Sequence, residues 1–284
     1  MNSAREPAVS GMFYPDDPTV LRKDVENYIR SAIVPDMKEH IVGIISPHAG
    51  YMYSGKVAAH AYKMIVKKPY DSVVLIGPGH HAYFNGAALW NKGSFRTPLG
   101  RVDIDEDIAL EMIRTGGIIK TSLDTHRGEH SLEVQLPFLQ TVLDGFKIIP
   151  IVMGTQTIGA CRELVQAMST ILQASKKRFL IVGSTDLSHY YDYAEAKRLD
   201  EFVVKCLDMF DIPGMIDVFE TGKAEACGAG PVIATMMLSE KLGAVHGKVL
   251  KYANSGDVSG DKGSVVGYVS AVFCQTQQSE RGAP

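Results

Sequence analysis

Six short apolar runs, rich in Val and Ile, are spread along the 284 residues at 41–46, 72–77, 147–152, 178–183, 248–253 and 265–273, and helical patterns fill the intervals between them. Strands that alternate with helical segments in this way predict a layered α/β sandwich around a central sheet that is mainly parallel or mixed. Helix starts are legible in the intervals. Asp17 precedes a proline and the periodic stretch TVLRKDVENYIRSAI, Ser54 is placed to cap GKVAAHAYKMIV, and Pro213 opens GMIDVFETG. The segment NKGSFRTPLGR (91–101) reads as a β-rich excursion with a turn. No internal repeat and no long Gly/Ser/Pro linker interrupts the pattern, so residues 1–274 are expected to form one domain. The last ten residues, QTQQSERGAP (275–284), have too little apolar surface to be ordered by themselves and are expected to form a disordered tail.

Composition narrows the function classes. Hydrophobic residues make up 45% of the chain, enough for a sizeable core without staples. With 29 basic and 32 acidic residues, a net charge of -3 and no block of Lys or Arg, the chain is not expected to bind nucleic acid. Four scattered cysteines without a C-x-x-C spacing suggest a reducing, cytoplasmic setting rather than a disulfide framework. No stretch reaches the roughly 18 to 20 apolar residues of a membrane span, and the start MNSAREPAVSGMFYP lacks the apolar core of a signal peptide.

Ligands of open α/β sheets collect beyond the carboxyl ends of the strands. Three predicted strands there deliver histidine. ISPHAGYMYSG places His48 after the first, GPGHH places His80 and His81 after the second, and GSTDLSH places Asp186 and His189 after a later one. Neutral imidazole is the commonest protein ligand for first-row transition ions, which makes His48 and His80 the first candidate metal ligands. Glycines beside them (Gly50, Gly77, Gly79) would allow a sharp exit from each strand. Cys227, in EACGAGPVIATMML, precedes a glycine turn and a predicted helix N-terminus, where the dipole favours a thiolate; it is the third candidate. Cys161, Cys206 and Cys274 read as small buried hydrophobes.

GEHSLEVQLPFL (128–139) groups Glu129, His130, Glu133 and Gln135, and helical spacing would put both glutamates on one face. His130 fits as an acid/base or supporting imidazole. Asp186 and His189 would share a face in one helical turn, so that Asp186 could orient the ring. His60, in a helix of small residues, and His246, in a polar loop, read as structural.

Together the motifs resemble the Memo family: REPAVSGMFYP, PHAGYMYSG, GPGHH, EHSLEVQLPFL, STDLSH and CGAGP match that family's stretches in order over nearly the whole chain. The resemblance implies a fold similar to the class III extradiol ring-cleaving dioxygenases, which bind non-haem Fe(II) through two histidines and a carboxylate. It places His48 and His80 at the histidine ligands, Cys227 at the position of the acidic ligand, and His189 at the acid/base histidine, with His81 and His130 lining the same pocket. A thiolate is softer than a carboxylate and shifts preference from Fe(II) toward Cu(I), Zn(II) or a more covalent iron site, so ring cleavage is not inherited with the fold.

The leading expectation is a metal-dependent redox protein using iron or copper, with His189, oriented by Asp186, moving protons for a small substrate. A pathway shared with a radical S-adenosylmethionine protein is implied by the resemblance. The alternatives are a non-catalytic cleft that takes a peptide on Tyr51, Tyr53 and Tyr190, a zinc hydrolase, and a Cys227 nucleophile. A second copy of the chain is a further candidate partner.

Overall fold

The computed structural model describes residues 4–81 and 84–276. In chain order the elements are β1 (Ala4–Arg5), α1 (Pro18–Ser31), β2 (His40–Ser46), α2 (Tyr51–Lys63), β3 (Ser72–Pro78), β4 (Ala87–Leu89), β5 (Ser94–Thr97), β6 (Gly100–Asp103), α3 (Glu106–Arg114), β7 (Ile119–Thr121), α4 (Leu123–Arg127), a 3₁₀ turn (Glu133–Gln135), α5 (Leu136–Val142), β8 (Lys147–Met153), α6 (Ile158–Ala174), β9 (Phe179–Ser184), β10 (His189–Tyr191), α7 (Tyr193–Met209), α8 (Ile212–Glu220), α9 (Ala229–Lys241), β11 (His246–Asn254), α10 (Gly256–Ser259) and β12 (Val265–Gln275).

A nine-stranded mixed sheet carries the fold in the order β10-β12-β2-β9-β3-β8-β4-β7, with β11 also pairing β12. Its centre, β2-β9-β3-β8, is parallel, while β12 joins antiparallel at one side and β4 at the other. Every residue of β3 and β9 is buried, and β2 and β8 expose only their first residues, which is why these strands read as unbroken apolar runs. Two groups of helices cover the sheet: α1, α2 and α5 pack with one another, and α3, α6 and α9 form the second group. The excursion at 91–101 is the β5–β6 hairpin, which binds β1 in a separate three-stranded sheet.

Asp17 caps α1 as expected, its carboxylate accepting the N–H groups of Thr19 and Val20 at 2.8 and 2.9 Å. Ser54 does not cap α2. That helix begins four residues earlier, after Gly50, and the Ser54 hydroxyl donates back to Ala49 O at 2.8 Å from inside its first turns. His246 opens β11 and does not lie in a loop. At the expected tail, Gln275 still pairs with His40 in the sheet, and residues 277–284 lie outside the described residues. Among the described residues, no helix is long and apolar enough to cross a membrane.

One ion pair fixes the N-terminal stretch. Arg5, 2% exposed, donates to the Glu133 carboxylate at 2.6 Å, to His126 O at 2.7 Å and to Glu129 O at 2.5 Å. Glu133 in turn accepts the N–H groups of Ala8 and Val9 and the hydroxyl of Tyr14. Glu133 therefore does not share a helix face with Glu129: it binds the REPAVSGMFYP segment, whereas Glu129 turns toward His80. Removing one partner of a buried, hydrogen-bonded pair leaves an unpaired charge, so Arg5→Ala should lose about 3–5 kcal/mol of unfolding free energy in urea denaturation. A loss below about 1 kcal/mol would show that the pair does not anchor this segment.

Candidate metal centre

Three neighbouring parallel strands, β2, β9 and β3, end at the same edge, and each leads directly into a candidate residue. His48 follows β2, Thr185 and Asp186 follow β9, and His80 follows β3. Close packing permits this convergence. A Cβ on Gly77 would lie 2.7 Å from both Ser131 Oγ and Leu132 Cδ2, so glycine lets β3 run against the segment that carries His130. The backbone freedom expected of Gly50 and Gly77 is not used, because neither has a positive φ.

Ligand atoms of His48, His80 and His130 lie within 4.8 Å of one another. Their rings are neighbours, with centroids 5.1 Å apart for His48 and His80, 5.5 Å for His48 and His130 and 4.6 Å for His80 and His130. Cys227 comes to the group from the N-terminal side of α9, with its Sγ 3.1 Å from His48 Nε2. Gly228 makes that approach possible, since a Cβ there would lie 2.5 Å from Ser184 O. His81 is exposed at the rim, its ring 6.0 Å from that of His130.

Hydrogen-bond bookkeeping assigns the ring protons. Gln135 Nε2 donates to Pro47 O at 3.0 Å and to Ser184 Oγ at 2.9 Å, while its Oε1 accepts the Tyr62 hydroxyl. The single Ser184 proton goes to Ser131 O at 2.6 Å. His48 Nδ1, 2.8 Å from Ser184 Oγ, must therefore be the donor, which leaves Nε2 with a free lone pair facing Cys227. His80 is held in the same sense, its Nδ1 donating to Glu129 Oε1 at 2.9 Å. Glu129 also accepts the N–H groups of His80 and Ser131. Burial alone would raise its pKa, but the bonds from His80 hold it well below the usual carboxylate range. Both imidazoles are thus anchored through Nδ1, which turns Nε2 away from the anchoring oxygens, the arrangement typical of metal-ligating histidine.

Asp186 has another task than the one expected. Residues 185–188 are not helical, and the Asp186 carboxylate accepts the N–H groups of His48, at 2.8 Å, and Ala49. It positions the β2 exit rather than the ring of His189. Burial raises its pKa to about 7. His189, the first residue of β10, is partly exposed, with its backbone N–H on Glu225 Oε1 at 3.2 Å. It lies close enough to His48 for a charge on one ring to disfavour a charge on the other. Beyond it Tyr190 is 78% exposed and adopts a left-handed backbone, φ 67°, which non-glycine residues seldom take.

The expected thiolate is also corrected. Burial, reinforced by Asp186, pushes the Cys227 thiol well above its ordinary range despite the nearby helix N-terminus. In the metal-free protein the thiol keeps its proton, and His48 Nε2 is its natural acceptor. Ser184, Glu129 and Gln135, which lock the two rings, carry no sequence signal for that role.

These features define an α/β protein with a candidate metal centre at the carboxyl ends of parallel strands. The profile of the Memo-like proteins matches residues 5–272. Among curated relatives, the MEMO1 family protein of Methanopyrus kandleri is 39% identical over 278 residues, covering 95% of this chain and 98% of its own. That of Methanosarcina mazei is 40% identical over 272 residues, covering 94% and 98%. In Sulfolobus acidocaldarius the corresponding protein is 38% identical over 281 residues, covering 95% and 99%. The chain belongs to the Memo family.

Burial lowers the pKa of His48 and takes that of His130 to about 4. Unfolded histidine takes up its proton near pH 6.5, so these groups contribute stability that is present above that pH and lost as pH falls toward 4. The raised Asp186 works in the opposite sense by one proton. Denaturation of metal-free protein should therefore show a His130→Asn variant losing less stability than wild type between pH 6.5 and 4. Equal losses would contradict a buried, neutral His130.

Proposed function

We propose that this Memo-family chain is a metal-dependent redox protein that holds iron or copper with His48, His80 and Cys227. The supporting observation is the pair of imidazoles locked through Nδ1 beside a buried thiol. This donor set fits a transition ion: two borderline nitrogens and one soft sulfur suit copper, a covalent iron site or zinc better than they suit magnesium or calcium. Bound iron or copper would supply one-electron exchange and activation of a small ligand.

The chain's own residues have separable roles in this reading. Ser184 and Glu129 hold the two rings by their Nδ1–H groups, and Asp186 holds the loop that carries His48. His189 and His81 at the rim hold and pass protons for a small substrate. Deprotonated Cys227 requires a nearby cation, because burial alone keeps the thiol protonated. That requirement weighs against a free-thiol nucleophile. A cytoplasmic setting and a shared pathway with a radical S-adenosylmethionine protein belong to the same reading.

A peptide-binding cleft is the second reading, favoured by the exposed side chains of Met12 and Tyr190, which adjoin Phe13 and His189 in the chain, and of Met52 in the first turn of α2. Tyr51 takes no part in such a surface, being 4% exposed with its hydroxyl on Val134 O.

Elemental analysis of anaerobically purified protein separates the readings. Near-stoichiometric iron or copper, lost in Cys227→Ser, is the expected result. Zinc instead would redirect the assignment to hydrolysis, and no metal after reconstitution would overturn it in favour of the peptide cleft. Ser184→Ala, which frees the His48 ring, should weaken metal binding about 10–100-fold in a chelator competition, and unchanged affinity would contradict the locking role.

A further inference from the structure

We propose that His130 is a metal ligand itself, a displaceable donor that completes the coordination of an ion on His48 and His80 and yields its place to an incoming ligand. The inference rests on the metal-binding reading above and concerns how that site closes. Three observations carry it.

First, the compact trio of ligand atoms, mutually within 4.8 Å, consists of His48, His80 and His130, with Cys227 touching it through His48 alone. Nitrogens on a tetrahedral ion with bonds of about 2.0–2.1 Å lie about 3.3 Å apart, so closing the trio needs shifts of only about 1.5 Å.

Second, His130 is held differently from the other two rings. His48 and His80 are tied through Nδ1 at 2.8 and 2.9 Å, whereas His130 Nδ1 stands 3.6 Å from Glu129 Oε1, too far for a good hydrogen bond. Ring contacts hold it instead. Phe13 meets it edge-on at 4.9 Å, and His80 stacks on it with an interplanar angle of 25°. Such contacts restrict where the ring lies without committing either of its nitrogens to a hydrogen-bond partner.

Third, His130 lies nearer the solvent than His48. Its side chain is 15% exposed and that of His80 28%, while His48 is 2% exposed, so a ligand arriving from the rim meets His80 and His130 before the deeper imidazole. His48, His80 and Cys227 alone would leave a coordination position open. An untethered imidazole at the mouth closes it until something binds more tightly.

Cobalt(II) is a suitable probe, because its visible absorption reports coordination and its thiolate charge-transfer band reports Cys227 separately. Metal-free wild type, His130→Ala and Cys227→Ser are titrated anaerobically with Co(II), and affinities are read against a chelator. The proposal predicts that His130→Ala binds Co(II) at least about tenfold more weakly, with an altered visible spectrum and a cooperatively folded metal-free protein, and that millimolar imidazole restores both affinity and spectrum. Wild-type affinity and spectrum in His130→Ala, or a loss that imidazole does not rescue, would overturn the proposal while leaving the His48–His80–Cys227 site intact. Failure of wild type itself to bind Co(II) would instead remove the metal-binding reading beneath it. His130→Asn, read in the same way, serves if the alanine variant does not fold.

Discussion

A serine hydroxyl has one proton, and at Ser184 that proton is committed to Ser131 O. Everything else that touches this oxygen must donate to it, so Gln135 and His48 both do, and the tautomer of His48 follows. The constraint is strong because Ser184 is fully buried at the last residue of β9, where no water competes for the hydroxyl. Its register partner across the sheet is Ser46, two residues before His48, so the pairing of β2 with β9 sets the distance between ring and hydroxyl. Sheet register thereby becomes ring chemistry.

Three carboxylates around the centre show how burial and partners divide labour among similar side chains. Glu133 is neutralised by Arg5 and secures the N-terminal segment. Glu129 stays ionised because His80 and Ser131 donate to it, and it fixes the second ring. Asp186 binds two backbone N–H groups, and its charged form is penalised by burial. The metal-free centre then holds neutral His48 and His130 and a protonated thiol, groups whose lone pairs a positive charge would stabilise. A cation replacing the thiol proton beside His48 Nε2 would supply it.

The sheet was legible in the sequence because strands buried on both faces cannot alternate, and the runs at 41–46, 72–77 and 147–152 lie wholly within observed strands. Strand-end placement likewise puts His48 and His80 at one edge of the sheet, where the structure has them. What stayed hidden depended on local geometry that spacing does not specify. Asp186 and His189 are three residues apart in extended chain rather than helix, so the carboxylate points to His48. Glu129 and Glu133 straddle the start of a 3₁₀ turn, which sends them to different partners. The effect of burial on Cys227 depends on what covers it, and no motif reports that. Ser184 could have been suspected from its place between an apolar strand and TDLSH, though its role emerges only once Gln135, Ser131 and His48 are seen around it.

If Ser184 and Glu129 set the tautomers, the fold itself presents two imidazole Nε2 lone pairs before any metal arrives. Long-range ¹H–¹⁵N correlation spectra of metal-free protein with labelled histidine, at pH 7.5, test it directly. The account predicts that His48 and His80, assigned with single-histidine variants, both appear as neutral rings protonated at Nδ1, with Nε2 at the shift of an unprotonated nitrogen. Either ring protonated at Nε2, or averaging rapidly between tautomers, would contradict it.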